Sequence, residues 1–230
     1  MRSRVLITGG ASGIGAAIAE RCKEDGYETV ILDKVGKDSV LCDLADVEST
    51  KAALEKVLED GPICRLVNNV GSVFPGSLEE QGLDDLERSF SLNLRSAFQC
   101  TKALLPGMKQ ESFGRIVSIS SRAILGKKKR TVYAASKAGL VGMSKVWAAE
   151  LAQFGITSNV VAPGPIRTTL FEQSNAKGAE ETKAIFRSIP MGRMGEPHEV
   201  AHSVSHFLDD RAGFVTGQTT FVCGGLTIGA

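Results

Sequence analysis

The sequence of 230 residues lacks most of the features that would tie it to a specialised setting. Its five cysteines, Cys22, Cys42, Cys64, Cys100 and Cys223, are odd in number and scattered, and no C-x-x-C pair occurs among them. That pattern argues against a secreted disulfide framework and for reduced, buried thiols in a cytoplasmic protein. A formal net charge of +1 gives no electrostatic reason to expect nucleic acid or an anionic membrane surface as partner. No apolar run approaches the roughly 18 residues of a membrane span. The basic start Met1-Arg2-Ser3-Arg4 leads only into Val5-Leu6-Ile7, too short for a signal-peptide core. Internal repeats, low-complexity tracts and interdomain linkers are also missing. What is left is an ordinary globular composition, 43% hydrophobic and 23% charged, in a length that suits a single domain over residues 1–230.

Short apolar runs alternate with helix-like stretches. Val5-Leu6-Ile7, Thr29 to Leu32, Val40-Leu41, Leu66-Val67, Ile116 to Ile119, Ser158 to Val161 and Thr219 to Val222 read as strands. They are rich in β-branched residues and mostly lack polar alternation, as expected of strands covered on both faces. Helical character falls near 14–25, 47–59, 83–110, 133–153 and 197–208. The alternation predicts an α/β fold, a doubly wound parallel sheet in a three-layer α/β/α arrangement of Rossmann type. One connection is unusually short: about half a dozen residues separate Asp33 from Val40, where a parallel crossover normally takes a dozen or more. A loop or single turn around Gly36 is expected there. The stretch 168–190, with Leu170, Phe171, Ile185 and Phe186, is the one long insertion and is expected to be a lid over a substrate.

Thr8-Gly9-Gly10-Ala11-Ser12-Gly13-Ile14-Gly15 follows the first strand and opens the first helix. Glycines there let the backbone turn tightly and approach a pyrophosphate, while the helix N-terminus offers unpaired N–H groups. The spacing G-x-x-x-G-x-G, set between a strand and a helix, points to a dinucleotide. Asp33 ends the second strand, 18 residues after Gly15. A carboxylate there can accept from both adenosine ribose hydroxyls and would repel a 2′-phosphate, so NAD is expected rather than NADP. Lys34 beside it could soften that preference, and the other reading of Asp33 is a strand-end turn residue.

Tyr133 and Lys137 stand at i and i+4, on one face of the predicted helix. A free phenol titrates near ~10, and a nearby ammonium lowers that value toward the range useful for proton transfer. By itself such a pair is common on amphipathic helices. Together with the glycine loop, the sequence resembles the short-chain dehydrogenase/reductase family over nearly its whole length. The matching segments occur in order: TGGASGIG at 8–15, CDL at 42–44, NNVG at 68–71, Asn93 in SLNLRS, ISS at 119–121, YAASK at 133–137 and NVVAPGPIRT at 159–168. The segments IPMGRMGEPHEVA and VTGQTTFVCGG are similar to the family's C-terminal region.

The resemblance implies hydride transfer between a nicotinamide and a carbonyl or secondary alcohol. Tyr133 would be the general acid/base, Lys137 would lower its pKa and hold the nicotinamide ribose, and Asn93 would support a water in a proton relay. Gly9, Ser12, Gly13, Ile14 and Gly15 would cradle the phosphates and Asp33 the ribose. Asp43 and Leu44 would meet the adenine, Asn69 and Gly71 the adenosine side, and Ile166 and Thr168 the nicotinamide amide. A serine would orient the substrate oxygen. Strand register selects Ser121, whereas the family's commoner spacing, one residue longer, selects Ser120. Val70 departs from the alanine usual in NNVG. Family members commonly assemble through the helix that carries the tyrosine, so a homodimer or homotetramer is expected, with a small alcohol or ketone as substrate. A catalytically silent NAD-binding sensor or scaffold is the alternative, since folds host many functions.

Two further signals compete for attention. His198-Glu199-Val200-Ala201-His202 matches the zinc motif H-E-x-x-H, and His206 extends the face. Its context, after Gly195-Glu196-Pro197, is that of an ordinary helix in the family, so no metal is expected. Lys127-Lys128-Lys129-Arg130 is either a solvated surface loop or a device that attracts an anionic substrate or carrier.

Overall fold

The computed structural model describes residues 4–169, 171, 184–185 and 187–228. Among them, seven strands form one wholly parallel sheet: β1 (Arg4–Thr8), β2 (Glu28–Asp33), β3 (Val40–Leu41), β4 (Arg65–Asn68), β5 (Gly114–Ile119), β6 (Ile156–Pro163) and β7 (Thr219–Val222). Their order is β3-β2-β1-β4-β5-β6-β7, and the order reverses between β1 and β4. The helices are α1 (Gly13–Glu24), α2 (Val47–Leu58), α3 (Leu83–Phe90), α4 (Ser96–Gln110), α5 (Thr131–Leu151) and α6 (Pro197–Leu208). Each strand expected from the sequence is present, and the doubly wound fold is as anticipated.

The period of two along each strand divides the core into two layers. Val5, Ile7, Val67, Val117, Ile119 and Val161 face α1 and α6, where Ile18, Cys22, Val200 and Val204 close over them. Leu6, Leu32, Leu66, Ile116 and Ile156 face the opposite side, under Leu54 of α2 and Cys100, Leu104 and Met108 of α4. A sheet buried on both faces explains the near-continuous apolar runs. Burial pushes the thiols of Cys22 and Cys100 up to about 12, so they behave as small apolar groups.

The short link from β2 to β3 works because β3 is so brief. Only Leu32↔Val40 and Asp33↔Leu41 pair, so the loop has to carry the chain back by only two residues, with Gly36 at φ +103°. The helix expected over 83–110 is interrupted. Ser91–Arg95 forms a π-helical turn between α3 and α4, with the buried Asn93 at its centre. Such turns insert one extra residue and frequently mark functional sites. At the opposite ends of the strands from the glycine loop, the Arg65 guanidinium is sandwiched 4.7 Å from the Tyr27 and Phe113 ring centres. It is a packing element remote from the site.

Leu66 lies on a central strand and is wholly buried. Leu66→Ala is expected to lower unfolding stability by about 2–5 kcal/mol, read as a shift of the urea midpoint at constant slope.

Candidate active site

The carboxyl ends of the strands carry a cavity of about 500 Å³, at the point where strand order reverses. Its first wall is the glycine loop. Gly9 and Gly13 have φ of +67° and +54°, a region open to glycine but strained for other residues. Gly15 answers a different demand: a side chain there would collide with the Gly9 carbonyl oxygen and the Asn69 amide. The loop thus folds back on the start of α1. Ser12 caps that helix in an extended conformation without a side-chain bond, and Ala16 is the first residue to donate back, to the Ser12 carbonyl at 3.1 Å. The N–H groups of Gly13, Ile14 and Gly15 precede the first intrahelical bond, and all three residues line the cavity.

Thr8 and Asn69 hold this wall in place. The Thr8 hydroxyl accepts from the N–H groups of Asn69 and Val70 at 3.0 and 3.1 Å. The Asn69 amide donates to the carbonyls of Thr8 and Gly9 at 3.0 and 2.9 Å. Val70 packs directly on Gly9 and into the core under α2, which is where its extra methyl groups go. Asp33 closes the far end. One carboxylate oxygen accepts from the Ala11 N–H at 3.0 Å and the other from the Val35 N–H at 3.3 Å, so the charge is fixed beside the glycine loop.

The inner end is built where β5 meets α5. Ser120 donates its hydroxyl to the Lys137 carbonyl at 2.8 Å, and Lys137 donates its ammonium to the Ile119 carbonyl at 2.8 Å. Gly71 leaves room for the amine: a Cβ there would sit 2.9 Å from Lys137 Nζ. Asn93 ties a third segment in. Its carbonyl oxygen accepts from the Ser72 N–H at 2.8 Å, and its amide donates to the Ser72 carbonyl at 3.0 Å and to Ser136 at 3.0 Å. Ser136 in turn donates to the Tyr133 carbonyl at 2.9 Å. The first turn of α5 is therefore anchored through the π-helical turn.

These bonds leave Tyr133 partly accessible through the cavity with Ser121 in hydrogen-bonding reach of its phenol. Burial raises the phenol above its ordinary range, while the Ser121 hydrogen bond and the Arg130 charge pull it down. The sequence reading gave that electrostatic task to Lys137. In the structure the Lys137 amine donates to the Ile119 carbonyl and is itself lowered by burial to about 8. The Arg130 charge acts on the phenol in that same downward sense. Both serines line the cavity, but Ser120 is buried with its hydroxyl given to the Lys137 carbonyl, whereas Ser121 is the one whose hydroxyl acts on the Tyr133 phenol.

The other expected residues divide. Gly9, Ser12, Gly13, Ile14, Gly15, Asp33, Asn69, Gly71, Ile166 and Thr168 all line the cavity. Asp43 and Leu44 stand outside its described lining. Asp43 pairs with Lys34 at 3.0 Å and accepts from the Ala45 N–H, and Leu44 belongs to the core. Asn93 is a scaffold for its neighbours and is almost wholly buried. Of the expected lid, Thr168, Phe171, Ile185 and Ser188 line the cavity, while Leu170 and Phe186 lie outside the described residues. Glu199 of H-E-x-x-H caps α6 through the Glu196 N–H and pairs with Arg193 at 2.7 Å. His202 faces Arg21 at 3.3 Å. No group of three metal-binding side chains gathers among the described residues. The basic run splits: Lys128 and Lys129 are exposed, but Arg130 is buried and lines the cavity. Nothing in the sequence spacing separates that arginine from the lysines before it.

Lys137 makes the stability of the ligand-free protein depend on pH. The unfolded chain holds this proton to its ordinary value near 10.5, while the folded chain releases it near 8, so folding is favoured as pH rises between the two. Removing the amine in Lys137→Met removes that dependence. The stability advantage of Lys137→Met over the parent is expected to shrink from pH 8 to pH 10.5 in paired denaturant titrations. A gap that is flat or widens over this range contradicts a buried, depressed amine.

A family model described as Enoyl-(Acyl carrier protein) reductase matches residues 9–227. A 3-oxoacyl-(acyl-carrier-protein) reductase of Thermotoga maritima is 38% identical over 97% of this chain and 97% of its own. The BbsD subunit of a hydroxy(phenyl)methylsuccinyl-CoA dehydrogenase of Thauera aromatica is 37% identical over 97% and 96%. A crystal structure of a blue fluorescent protein from a metagenomic library, in complex with NADPH, superposes with a TM-score of 0.88 at 31% identity over 98% of each chain. The chain belongs to the short-chain dehydrogenase/reductase family of NAD(P)-binding oxidoreductases.

Proposed function

We propose that the protein is an NAD(H)-dependent oxidoreductase in which Tyr133 passes a proton to and from the oxygen of a ketone or secondary alcohol. The observation that carries this reading is the placement of an accessible phenol, with Ser121 beside it, in the same cavity whose other wall is the glycine cradle. That cradle fits a dinucleotide, because glycine at 9 and 15 lets the loop fold tightly on itself against Val70 and Asn69 and leaves the free N–H groups of α1 facing the cavity. When bound, the nicotinamide supplies the hydride.

The chain's own residues supply the rest. Ser121 orients the substrate oxygen toward Tyr133. Tyr133 donates its proton as the carbonyl is reduced and takes it back when an alcohol is oxidised. Burial keeps the phenol protonated at neutral pH, and Arg130 together with Ser121 stabilises the phenolate it becomes. Lys137 holds the nicotinamide ribose from the Gly71 side, and Ile166 and Thr168 meet the nicotinamide amide. Asn93 positions Tyr133 and Lys137 by fixing Ser72 against α5, and supports a relay water. Asp43 and Leu44 keep their proposed place near the adenine, approached from beyond the described lining.

Asp33 favours NAD over NADP in this reading. Its carboxylate is pinned by two backbone N–H groups, and Lys34, the nearest cation along the chain, is engaged with Asp43. A 2′-phosphate would meet like charge. The relative solved with NADPH makes this the point most in need of measurement. The readings extend to a single domain over residues 1–230, a cytoplasmic setting and a homo-oligomer, either dimer or tetramer. Exposed Phe98 on α4 and Val146 on α5 support the last of these. A catalytically silent sensor finds no support in relatives with enzyme names.

Four outcomes test the proposal. Tyr133→Phe is expected to lower kcat by roughly 10²- to 10⁴-fold with little change in dinucleotide affinity, and Ser121→Ala to lose more turnover than Ser120→Ala. Equal or greater loss from Ser120→Ala contradicts the serine assignment. The KM for NADP(H) is expected to exceed that for NAD(H) by about tenfold or more, near 1.4 kcal/mol, and Asp33→Ser to narrow the gap. A parent enzyme that prefers NADP sinks the Asp33 reading.

A further inference from the structure

Besides Lys137, three cationic side chains line the cavity that Tyr133 lines: Arg122, Lys127 and Arg130. They reach it from separate local structures. Arg122 opens the short 3₁₀ turn after β5, and its guanidinium donates to the Leu226 carbonyl at 3.1 and 3.3 Å. Lys127 follows that turn and stays exposed. Arg130 caps the start of α5, and only 7% of its surface is accessible.

Arg130 is held by side chain and backbone alike: its guanidinium donates to the Lys129 carbonyl at 2.8 Å. It bridges in parallel with Gly76, whose N–H donates to the Lys129 carbonyl at 3.2 Å, and its own carbonyl accepts from the Ala134 N–H at 2.7 Å. Lys129 takes a left-handed conformation, φ +59°, immediately before it. Such a conformation is uncommon outside glycine and is kept where surrounding structure demands it. Here it accompanies the reversal of the chain that separates the exposed lysines from the buried arginine.

Gathering like charges is unfavourable unless something offsets it. Desolvation, then the charges of Arg130 and Arg122, hold the Lys127 amine below its ordinary range, so Lys127 feels both guanidiniums. The N-terminus of the 21-residue α5 adds positive potential to the same place, with no acidic residue in its first turn. Arg130 also lies near enough to Tyr133 for its charge to act on the phenol. An anionic group on the substrate would complement this wall. A planar guanidinium matches a carboxylate with two parallel hydrogen bonds.

We infer that Arg130, flanked by Arg122 and Lys127, is a specificity determinant that receives a carboxylate carried by the substrate itself, a few bonds from the reacting carbonyl. This rests on the oxidoreductase reading above and names its substrate class as oxo acids and the corresponding hydroxy acids. The short separation follows from the position of Arg130 beside Tyr133, not at the outer rim. A carboxylate seated there has a second effect. It offsets the pull of Arg130 on Tyr133 and favours the protonated phenol, the form that reduction requires.

The test is binding of straight-chain oxo acids with one to four carbons between ketone and carboxylate, each beside its neutral methyl ester. Titrations are run by calorimetry on the full-length protein with saturating oxidised NAD, where hydride transfer to the ketone cannot occur, and again without dinucleotide. At least one acid is expected to bind about tenfold more tightly than its ester. Arg130→Gln should reduce that ratio to near one, Arg130→Lys should restore part of it, and Lys128→Gln, on the exposed part of the same run, should leave it unchanged. Esters that bind as well as their acids throughout, or an acid preference that survives in Arg130→Gln, overturn the proposal. Acyl-pantetheine and its 4′-phosphate are titrated in parallel. Preference for the phosphorylated thioester without preference for any free acid assigns the wall to a carrier's phosphate and also overturns it. An acid preference lost in Arg130→Gln in a protein that binds no dinucleotide would preserve the anion site and remove the oxidoreductase reading.

Discussion

Ser120 gives its hydroxyl proton to the Lys137 carbonyl, and Lys137 returns its ammonium to the carbonyl of Ile119, the residue before that serine. This pair of bonds fixes how far along α5 the end of β5 is met, and so decides which side chains share the cavity. A shift of one residue along either partner would turn Tyr133 away from Ser121, because a helix rotates about 100° per residue. Asn93 secures the same helix from the other side through Ser136. The π-helical turn that carries Asn93 puts one extra residue into the path from α3 to α4, and its amide meets Ser72 and Ser136 together.

The electrostatics follow from that clasp. A lysine almost wholly out of solvent is costly when charged, and its answer is a lowered affinity for the proton and a carbonyl acceptor at 2.8 Å. The tyrosine beside it responds to burial in the opposite sense, staying protonated. The charge of Arg130, at the start of the same helix, pulls the phenol the other way. The cavity thus runs from a fixed carboxylate, Asp33, past the bare N–H groups of α1, to a cationic wall around the phenol. Such a gradient orients any elongated ligand with unlike ends.

Much of this was legible in the sequence. The strands could be read because both faces of a parallel sheet are apolar, and the glycine loop because its demands are steric: Gly15 cannot be anything larger against the Gly9 carbonyl. Three features escaped for physical reasons. The π-helical turn has no periodicity signal of its own, since 83–110 keeps a helical pattern across one inserted residue. The role of Asn69 and Thr8 as the bracket of the glycine loop depends on contacts between residues about 60 positions apart. Arg130 looked like the last member of an exposed basic run, and only the chain reversal at Lys129 separates its burial from that of its neighbours. The orientation of the Lys137 amine was likewise not legible. The i, i+4 spacing placed Lys137 on the face of Tyr133, but spacing cannot say whether the amine turns to the phenol or to a strand carbonyl.

The central claim is that hydride and proton meet at one carbonyl in this cavity, and the most direct measurement follows the hydride. The purified protein is incubated with a panel of ketones and oxo acids and with dinucleotide bearing deuterium at the transferable position of nicotinamide C4. The products are read by mass spectrometry. The account predicts a single deuterium on the carbinol carbon of at least one product, formed in step with dinucleotide oxidation. Tight binding of the dinucleotide with no label reaching any member of the panel would contradict it.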